Sequence, residues 1–185
     1  MTLPLLVCLF AIDSEDAAQR AIRDMRSGRI GPALAHAKEA AALSEREGGP
    51  DSGWYAHRLA LYGEVQIGAG LLAEGRANLE RAYAIAQRTW PSNDPDYIAL
   101  RACLGIASLR SGRPREAETF LRRALLDGEA LLGPDHHEVG IILEYLAVVL
   151  RKHRRNDEAK PLAKRARTIL GPPDSTVSAW SLRSR

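Results

Sequence analysis

The sequence predicts an all-α protein, a right-handed α-solenoid of stacked antiparallel helical hairpins, and three observations predict it. Apolar residues recur at spacings of three and four, as they do on a helix that is buried on one side. Glycine and proline cluster between these apolar runs, where one helix ends and the next begins. The same order of features returns after 42 residues. A period of that length is typical of stacked supersecondary units.

Small residues recur in columns at this period of 42. Gly28, Gly70 and Gly112 form one column, which Arg154 continues. Three more columns consist of alanine and glycine: Ala40, Ala82, Ala124 and Ala166; Ala33, Gly75, Ala117 and Ala159; Ala21, Gly63, Gly105 and Ala147. Where two helices cross closely, a larger side chain would push the axes apart, at a cost of about 1–3 kcal/mol. These columns therefore predict where the two helices of each hairpin cross. Successive hairpins must also stack, because no single hairpin buries its apolar faces alone.

Breaks rich in glycine and proline divide residues 13–171 into four predicted hairpins. Their helices are expected from Ser14 to Ser27 and Ile30 to Arg46, from Gly53 to Ala69 and Leu72 to Trp90, from Pro95 to Ser111 and Pro114 to Leu132, and from His137 to His153 and Asp157 to Leu170. Ser14 fits the N-cap of the first helix, because two acidic residues follow it. Pro95 and Pro114 fit the first turn of a helix, where a missing N–H costs nothing.

The two ends of the chain allow alternatives. Residues 1–12 are an apolar segment, uncharged from Leu3 to Ile12 and too short to span a bilayer. This length suits the core of a signal peptide, but no basic residue precedes it, so an exported and a cytoplasmic location both stay open. The other interpretation is that residues 1–12 pack on the first hairpin. Residues 172–185 are expected to form either a frayed tail or a capping helix from Val177 to Leu182, with Trp180 over the last apolar face.

Three phrases carry a resemblance to a known family. Leu104-Gly105 with Ala117 and Ala124, and Leu146-Ala147 with Ala159 and Ala166, resemble the Leu-Gly and downstream alanine of the tetratricopeptide repeat. Leu132-Gly133-Pro134-Asp135-His136 resembles the linker of the family's longer, 42-residue form, which is found in kinesin light chains. The resemblance extends over roughly 13–171 and implies a hairpin array that binds other proteins. The asparagine-rich inner face of the longer form is replaced by Ala60-Leu61, Ala102-Cys103 and Glu144-Tyr145.

Composition and motifs argue against catalysis. The net charge is +3, the hydrophobic fraction is 45%, and Cys8 and Cys103 form no redox or metal-binding pattern. We find no nucleophile elbow, phosphate-binding loop or paired-carboxylate motif, so we predict no enzymatic activity, no cofactor and no small-molecule substrate. Asp135-His136-His137-Glu138 offers four potential metal ligands in a row. Neighbouring side chains at a helix start point in different directions, which favours helix capping over a metal site.

Basic residues crowd the last predicted hairpin: Arg151, Lys152, Arg154, Arg155, Lys160, Lys164, Arg165 and Arg167. One interpretation is a solvated helix surface with Asp157 and Glu158 as counterions. The functional alternative is the binding of an acidic partner or an anionic surface. Nucleic acid is disfavoured, because no aromatic residues interleave with these cations to stack on bases.

The leading functional hypothesis is a non-enzymatic scaffold that holds a partner segment on the concave face of the array. The first helix of each pair lines that face. Registering the repeats places seven residues on it: Glu64, Ile67, Ile106, Leu109, Arg110, Val148 and Arg151. An apolar floor with two cations suits an extended or helical protein segment that carries acidic residues. Three alternatives stay open: packing between repeats, self-assembly through the array ends, and anionic-surface or nucleic-acid binding through the last hairpin.

Overall fold

The computed structural model describes residues 4–91 and 93–171, and over these residues the chain forms eight α-helices and no strand. The helices are α1 (Pro4–Arg26), α2 (Ile30–Gly48), α3 (Gly53–Gly68), α4 (Leu72–Thr89), α5 (Pro95–Arg110), α6 (Pro114–Leu132), α7 (His137–Lys152) and α8 (Asn156–Leu170). Each odd-numbered helix packs on the even-numbered helix that follows it. The predicted all-α fold of helical hairpins is confirmed. The predicted cap or tail at 172–185 lies outside the described residues.

The chain divides into two compact units, Met1–Trp90 and Pro91–Arg185. In the first unit the hairpin of α1 and α2 stacks on that of α3 and α4 through contacts of α2 with α3. In the second unit α6 contacts α7 in the same way. Each unit is therefore a pair of stacked hairpins with its apolar core between the helices.

The start of the first helix differs from the prediction. α1 begins at Pro4 and not near Ser14, so the apolar segment continues into the first hairpin as helix. Ser14 is fully buried inside the helix and does not stand at its N-cap. Its hydroxyl donates to Glu47 at 3.1 Å and accepts from the Trp54 indole at 3.2 Å. A hydroxyl can donate and accept at once, and here both partners are remote in sequence. None of the described helices has the length and apolarity that crossing a membrane requires.

The columns of alanine and glycine within the helices lie where the two helices of a hairpin pack closely, whereas the column of Gly28, Gly70 and Gly112 lies in the turns. One column is almost completely inaccessible to solvent: Ala40, Ala82, Ala124 and Ala166. A Cβ added to Gly63 would lie 2.8 Å from the carbonyl oxygen of Gly75, because α3 and α4 approach backbone to backbone. A Cβ added to Gly105 would lie 2.7 Å from Cγ of Leu121. A larger side chain at these positions would force the two helices of a hairpin apart.

The turn inside each hairpin uses a residue with left-handed backbone geometry. Gly28, Gly70 and Gly112 have φ angles of 70°, 85° and 73°. In the fourth hairpin the same column holds Arg154 with φ 62°, the one non-glycine residue with positive φ in the described part of the chain. A Cβ makes this conformation unfavourable by about 1–2 kcal/mol. The fourth turn therefore keeps the backbone geometry of the others at an energetic cost.

Candidate partner-binding face

Two of the seven predicted binding residues lie in the first unit. Glu64 and Ile67 belong to α3, and their exposed fractions are 6% and 5%. Little of either side chain is accessible at this position. The sequence spacing identifies their place in the repeat correctly, but spacing alone carries no information about how much surface the neighbouring helices leave open.

The other five predicted residues lie on two neighbouring helices of the second unit. Ile106, Leu109 and Arg110 belong to α5, whereas Val148 and Arg151 belong to α7, and these two helices are in contact. Ile106 and Leu109 are buried, Val148 is half-buried, and both arginines are exposed. The structure thus brings two accessible guanidinium groups and a partly accessible apolar side chain to one pair of helices.

Two further residues of α7, Glu144 and Tyr145, belong to this face although the sequence-based strip omits them. Burial raises the pKa of the half-buried Tyr145 phenol, and the charge of Glu144 raises it further, whereas Arg110 acts in the opposite direction. The phenol therefore stays protonated at neutral pH and can donate a hydrogen bond to a carboxylate. We call the surface formed by Ile106, Arg110, Glu144, Tyr145, Val148 and Arg151 the α5–α7 face.

The signal for these two residues is present in the sequence. Glu144-Tyr145 occupies the inner-face position that holds Ala60-Leu61 and Ala102-Cys103 in the preceding repeats. It is the one polar pair among the three. A polar change at a position that is otherwise apolar marks a difference in what that position contacts.

A carboxylate of α6 binds the turn of the last hairpin. Glu118 lies 2.8 Å from Nδ1 of His153 and accepts from Arg155 at 2.5 Å and from Arg122 at 3.0 Å. Burial acts to raise the pKa of Glu118, but the hydrogen bonds from Arg155 and His153 and the charge of Arg122 lower it overall. The ionised carboxylate therefore holds the turn between α7 and α8 against α6.

The basic residues of the last hairpin fall into two groups. Arg155 binds Glu118 and Glu158, and Arg165 binds Glu129 and the carbonyl oxygen of Pro134. Lys160 pairs with Asp157 at 3.4 Å. Within residues 93–171, the other five form no ion pair: Arg151, Lys152, Arg154, Lys164 and Arg167. The last hairpin therefore keeps positive charge that the described residues do not neutralise.

The run of potential metal ligands caps a helix, as predicted, but the capping atom is different from the one expected. The prediction was an acidic cap, whereas Nδ1 of His136 accepts from the backbone amide of Glu138 at 3.3 Å. Ser52 and Asp94 stand at the same repeat position and cap α3 and α5. An imidazole nitrogen can replace an oxygen there because the position requires only an acceptor. Nowhere in the described part of the chain do three His, Cys, Asp or Glu side chains gather as a metal would require.

Comparison with known proteins agrees with this architecture. Residues 96–170 match the tetratricopeptide repeat family. A kinesin-light-chain-type protein of Podosopora anserina with nearly identical TPR-like repeats, solved as a point variant, has 19% sequence identity and a TM-score of 0.66 over 84% of this chain and 74% of its own. BtubC (BKLC) of P. vanneervenii has 17% identity and a TM-score of 0.61 over 96% of this chain and 78% of its own. No curated protein matches the sequence. At these identities the structures show a shared fold.

Proposed function

Because residues 96–170 belong to the tetratricopeptide repeat family and the hairpins before them share its period of 42, we propose that the protein is a non-enzymatic scaffold that binds an acidic partner segment on the α5–α7 face. Tetratricopeptide repeats serve in general as protein–protein interaction scaffolds. The observation that carries the proposal is the exposed pair Arg110 and Arg151 on two neighbouring first helices.

The chemistry of this face suits a carboxylate-bearing segment. Arg110 and Arg151 form no ion pair within residues 93–171, so their guanidinium groups are available to a partner. A guanidinium group binds a carboxylate with two parallel hydrogen bonds, which adds direction to the charge attraction. Val148 is half-buried and offers apolar contact on α7, three residues before Arg151. An apolar centre with a charged rim is the usual anatomy of a protein interface.

A selection from random peptides tests this proposal. The full chain is used to select binders from a displayed library of peptides of about 15 residues, long enough to form a short helix. We expect the selected peptides to be enriched in Asp and Glu. Arg110→Glu is the test variant, because Arg151 also lines a separate groove along α8, which is described below. Arg115→Glu is the matched control, since Arg115 is exposed on α6 and has no ion pair among the described residues.

The expected result is a loss of affinity of at least about tenfold for Arg110→Glu and less than about twofold for Arg115→Glu, because a close charge pair at an interface is worth more than about 1.4 kcal/mol. Both variants should keep the Tm of the parent. Selected peptides without acidic residues, or peptides that bind Arg110→Glu as tightly as the parent, would contradict the proposal. Self-assembly is the alternative supported if no peptide is selected and the sedimentation mass rises with protein concentration.

A further inference from the structure

A second surface of the C-terminal unit is basic. A shallow groove of about 340 Å³ follows α8 and is lined by Arg151, Asn156, Ala159, Lys160, Ala163, Lys164 and Arg167. We call it the α8 groove. Four of its lining residues are cations and none is acidic. Among the described residues Lys160 pairs with Asp157 at 3.4 Å, in an ion pair that is open to solvent. The α8 groove therefore offers a row of positive charges with one partly accessible alanine, Ala163.

The period of 42 shows what this surface corresponds to inside the unit. Four groove residues of α8 stand one repeat after four residues of α6: Lys160 after Glu118, Ala163 after Leu121, Lys164 after Arg122, and Arg167 after Leu125. On α6 three of these residues, Glu118, Arg122 and Leu125, contact the next hairpin, whereas Leu121 lies against Gly105 of its own hairpin. Glu118 binds His153 and Arg155, while Arg122 reaches Glu158 at 3.4 Å. The α8 groove is thus the repeat-equivalent of a stacking face.

The apolar part of the stacking face changes as well. Leu125 of α6 packs against the buried cluster that contains Val139 and Leu143 of α7. Its counterpart on α8 is the exposed Arg167, whose charged end cannot pack against an apolar cluster. At the position of Leu121, which on α6 lies against Gly105 of the same hairpin, α8 has the smaller and half-buried Ala163. The face on α8 therefore presents charge where α6 presents a leucine.

The charge reversal argues against another hairpin of the same kind as the occupant. On α6 an acidic residue receives Arg155 from the turn of the following hairpin. On α8 that place is taken by Lys160, and the residue of the first hairpin that corresponds to Arg155 is Arg29. End-to-end stacking of a second copy would oppose Lys160 and Arg29, two like charges. A partner that fits this groove must instead supply carboxylates.

We propose that the α8 groove binds an acidic helical segment of a partner protein. The equivalent face of α6 is covered by helices, and the half-buried Ala163 is small enough to let a helix approach α8 closely. Carboxylates spaced three and four residues apart on such a helix would face Lys160, Lys164 and Arg167. Among the described residues, those that line the groove include no aromatic side chain for stacking on bases. This surface is additional to the α5–α7 face.

A designed peptide tests the proposal with the full chain. The probe is an alanine-rich helical peptide of about 20 residues with glutamates at i, i+4 and i+7 on one face, and its partner peptide carries glutamine there. Binding is measured by fluorescence anisotropy. The test variant is Lys160→Gln/Lys164→Gln/Arg167→Gln. The control is Arg23→Gln/Lys38→Gln/Arg46→Gln, which removes the same charge from three exposed residues of the first unit that have no ion pair among the described residues.

The expected result is that the glutamate peptide binds the parent and binds the groove variant at least about tenfold more weakly, while the control variant loses less than about twofold. Equal loss in both variants would show unspecific attraction and overturn the proposal. Equal binding of the glutamine peptide, or no binding of either peptide, would also overturn it.

Three other occupants have their own signatures, and each would contradict an acidic protein helix. Short duplex DNA that binds more tightly than the peptide, with the same dependence on the three groove cations, indicates a general polyanion site. A concentration-dependent dimer that the groove variant abolishes indicates a second copy. Peptide binding that appears only after removal of residues 172–185 indicates that the chain's own end occupies the groove.

Discussion

The hairpins of the first unit are closed near their turns by polar pairs. In the first hairpin Asp24 is buried and faces Nδ1 of His36 at 2.8 Å. In the second hairpin the side-chain amide of Asn78 donates to Gln66 at 2.6 Å. Both pairs join residues twelve apart, at the same two positions of the repeat. At these two positions the first unit therefore pairs its polar side chains across each hairpin.

The second unit fills the same two positions with other chemistry. They hold Ser108 and Phe120 in the third hairpin and Leu150 and Leu162 in the fourth. Ser108 and Leu150 are both almost completely buried. An Asp–His pair, an amide pair and an apolar pair thus occupy one place in the repeat. The difference teaches that the two side chains at this place must fill the space between the helices and must satisfy each other's polar atoms where they have any. Several residue pairs meet these two requirements.

Other features are the same in both units. Glu45 and Arg81 pair between the second helices of the first unit, and Glu129 and Arg165 pair in the second unit, 84 residues later. The alanine column at the helix crossings is also kept, as at Ala82 and Ala124. At a crossing the two backbones lie so close that only a small side chain fits between them. No pair of larger side chains can therefore replace the alanine.

The largest effect should come from enlarging a crossing residue. Ala124 is fully buried, so Ala124→Leu should lower the free energy of unfolding by about 3 kcal/mol through overpacking. Ala130 is exposed on the same helix, and Ala130→Leu should change it by less than about 0.5 kcal/mol. Urea denaturation of both variants measures the difference. Ala82→Leu should match Ala124→Leu, and a mild effect there would show that the two units do not share this constraint.

A smaller effect should come from breaking the polar pair of the first hairpin. Asp24→Leu leaves His36 and Arg29 without their buried acceptor and should cost about 2 kcal/mol. Adding His36→Leu copies the apolar pair of the fourth hairpin, and the double variant should recover to within about 1 kcal/mol of the parent. Thermal unfolding of the single and double variants tests this. A double variant less stable than the single one would refute the view that the pairs are interchangeable.

The smallest effect should be stabilising. Arg154 has φ 62° where the other three hairpins have glycine, so Arg154→Gly should relieve the backbone and raise the free energy of unfolding by up to about 1 kcal/mol. Arg154→Ala removes the same charge but keeps a Cβ, and it should leave stability nearly unchanged. Chemical denaturation separates the two. Equal stabilities of both variants would mean that the turn of the fourth hairpin carries no strain.

Helix positions were predictable because their signals are local. The bounds of α2 through α8 differ from the prediction by two residues at most, since apolar spacing and glycine or proline breaks lie within or beside each helix. The predicted start of α1 was wrong because Ser14 has a good capping side chain, but its role depends on contacts with distant parts of the chain. Its hydrogen-bond partners Glu47 and Trp54 are 33 and 40 residues away.

The candidate site was predictable only in part. The period of 42 identifies the helices that carry Arg110 and Arg151, but it places the buried Glu64 in the same strip as the exposed arginines. It also omits Tyr145, whose environment depends on Glu144 beside it and on Arg110 from another hairpin. Repeat spacing specifies which face of a helix a residue occupies. It does not specify how much of that face the neighbouring helix covers.

By itself the sequence determined the repeat, the hairpins and the close crossings, because each depends on residues within one period of 42. Only the tertiary structure decided which charges stay available. Glu118 and Glu129 of α6 neutralise Arg155 and Arg165 of the last hairpin, and Glu158 adds a local pair with Arg155. Arg151, Lys164 and Arg167 have no ion pair among the described residues. An ion pair depends on the distance between side chains of different helices, and that distance is set by packing.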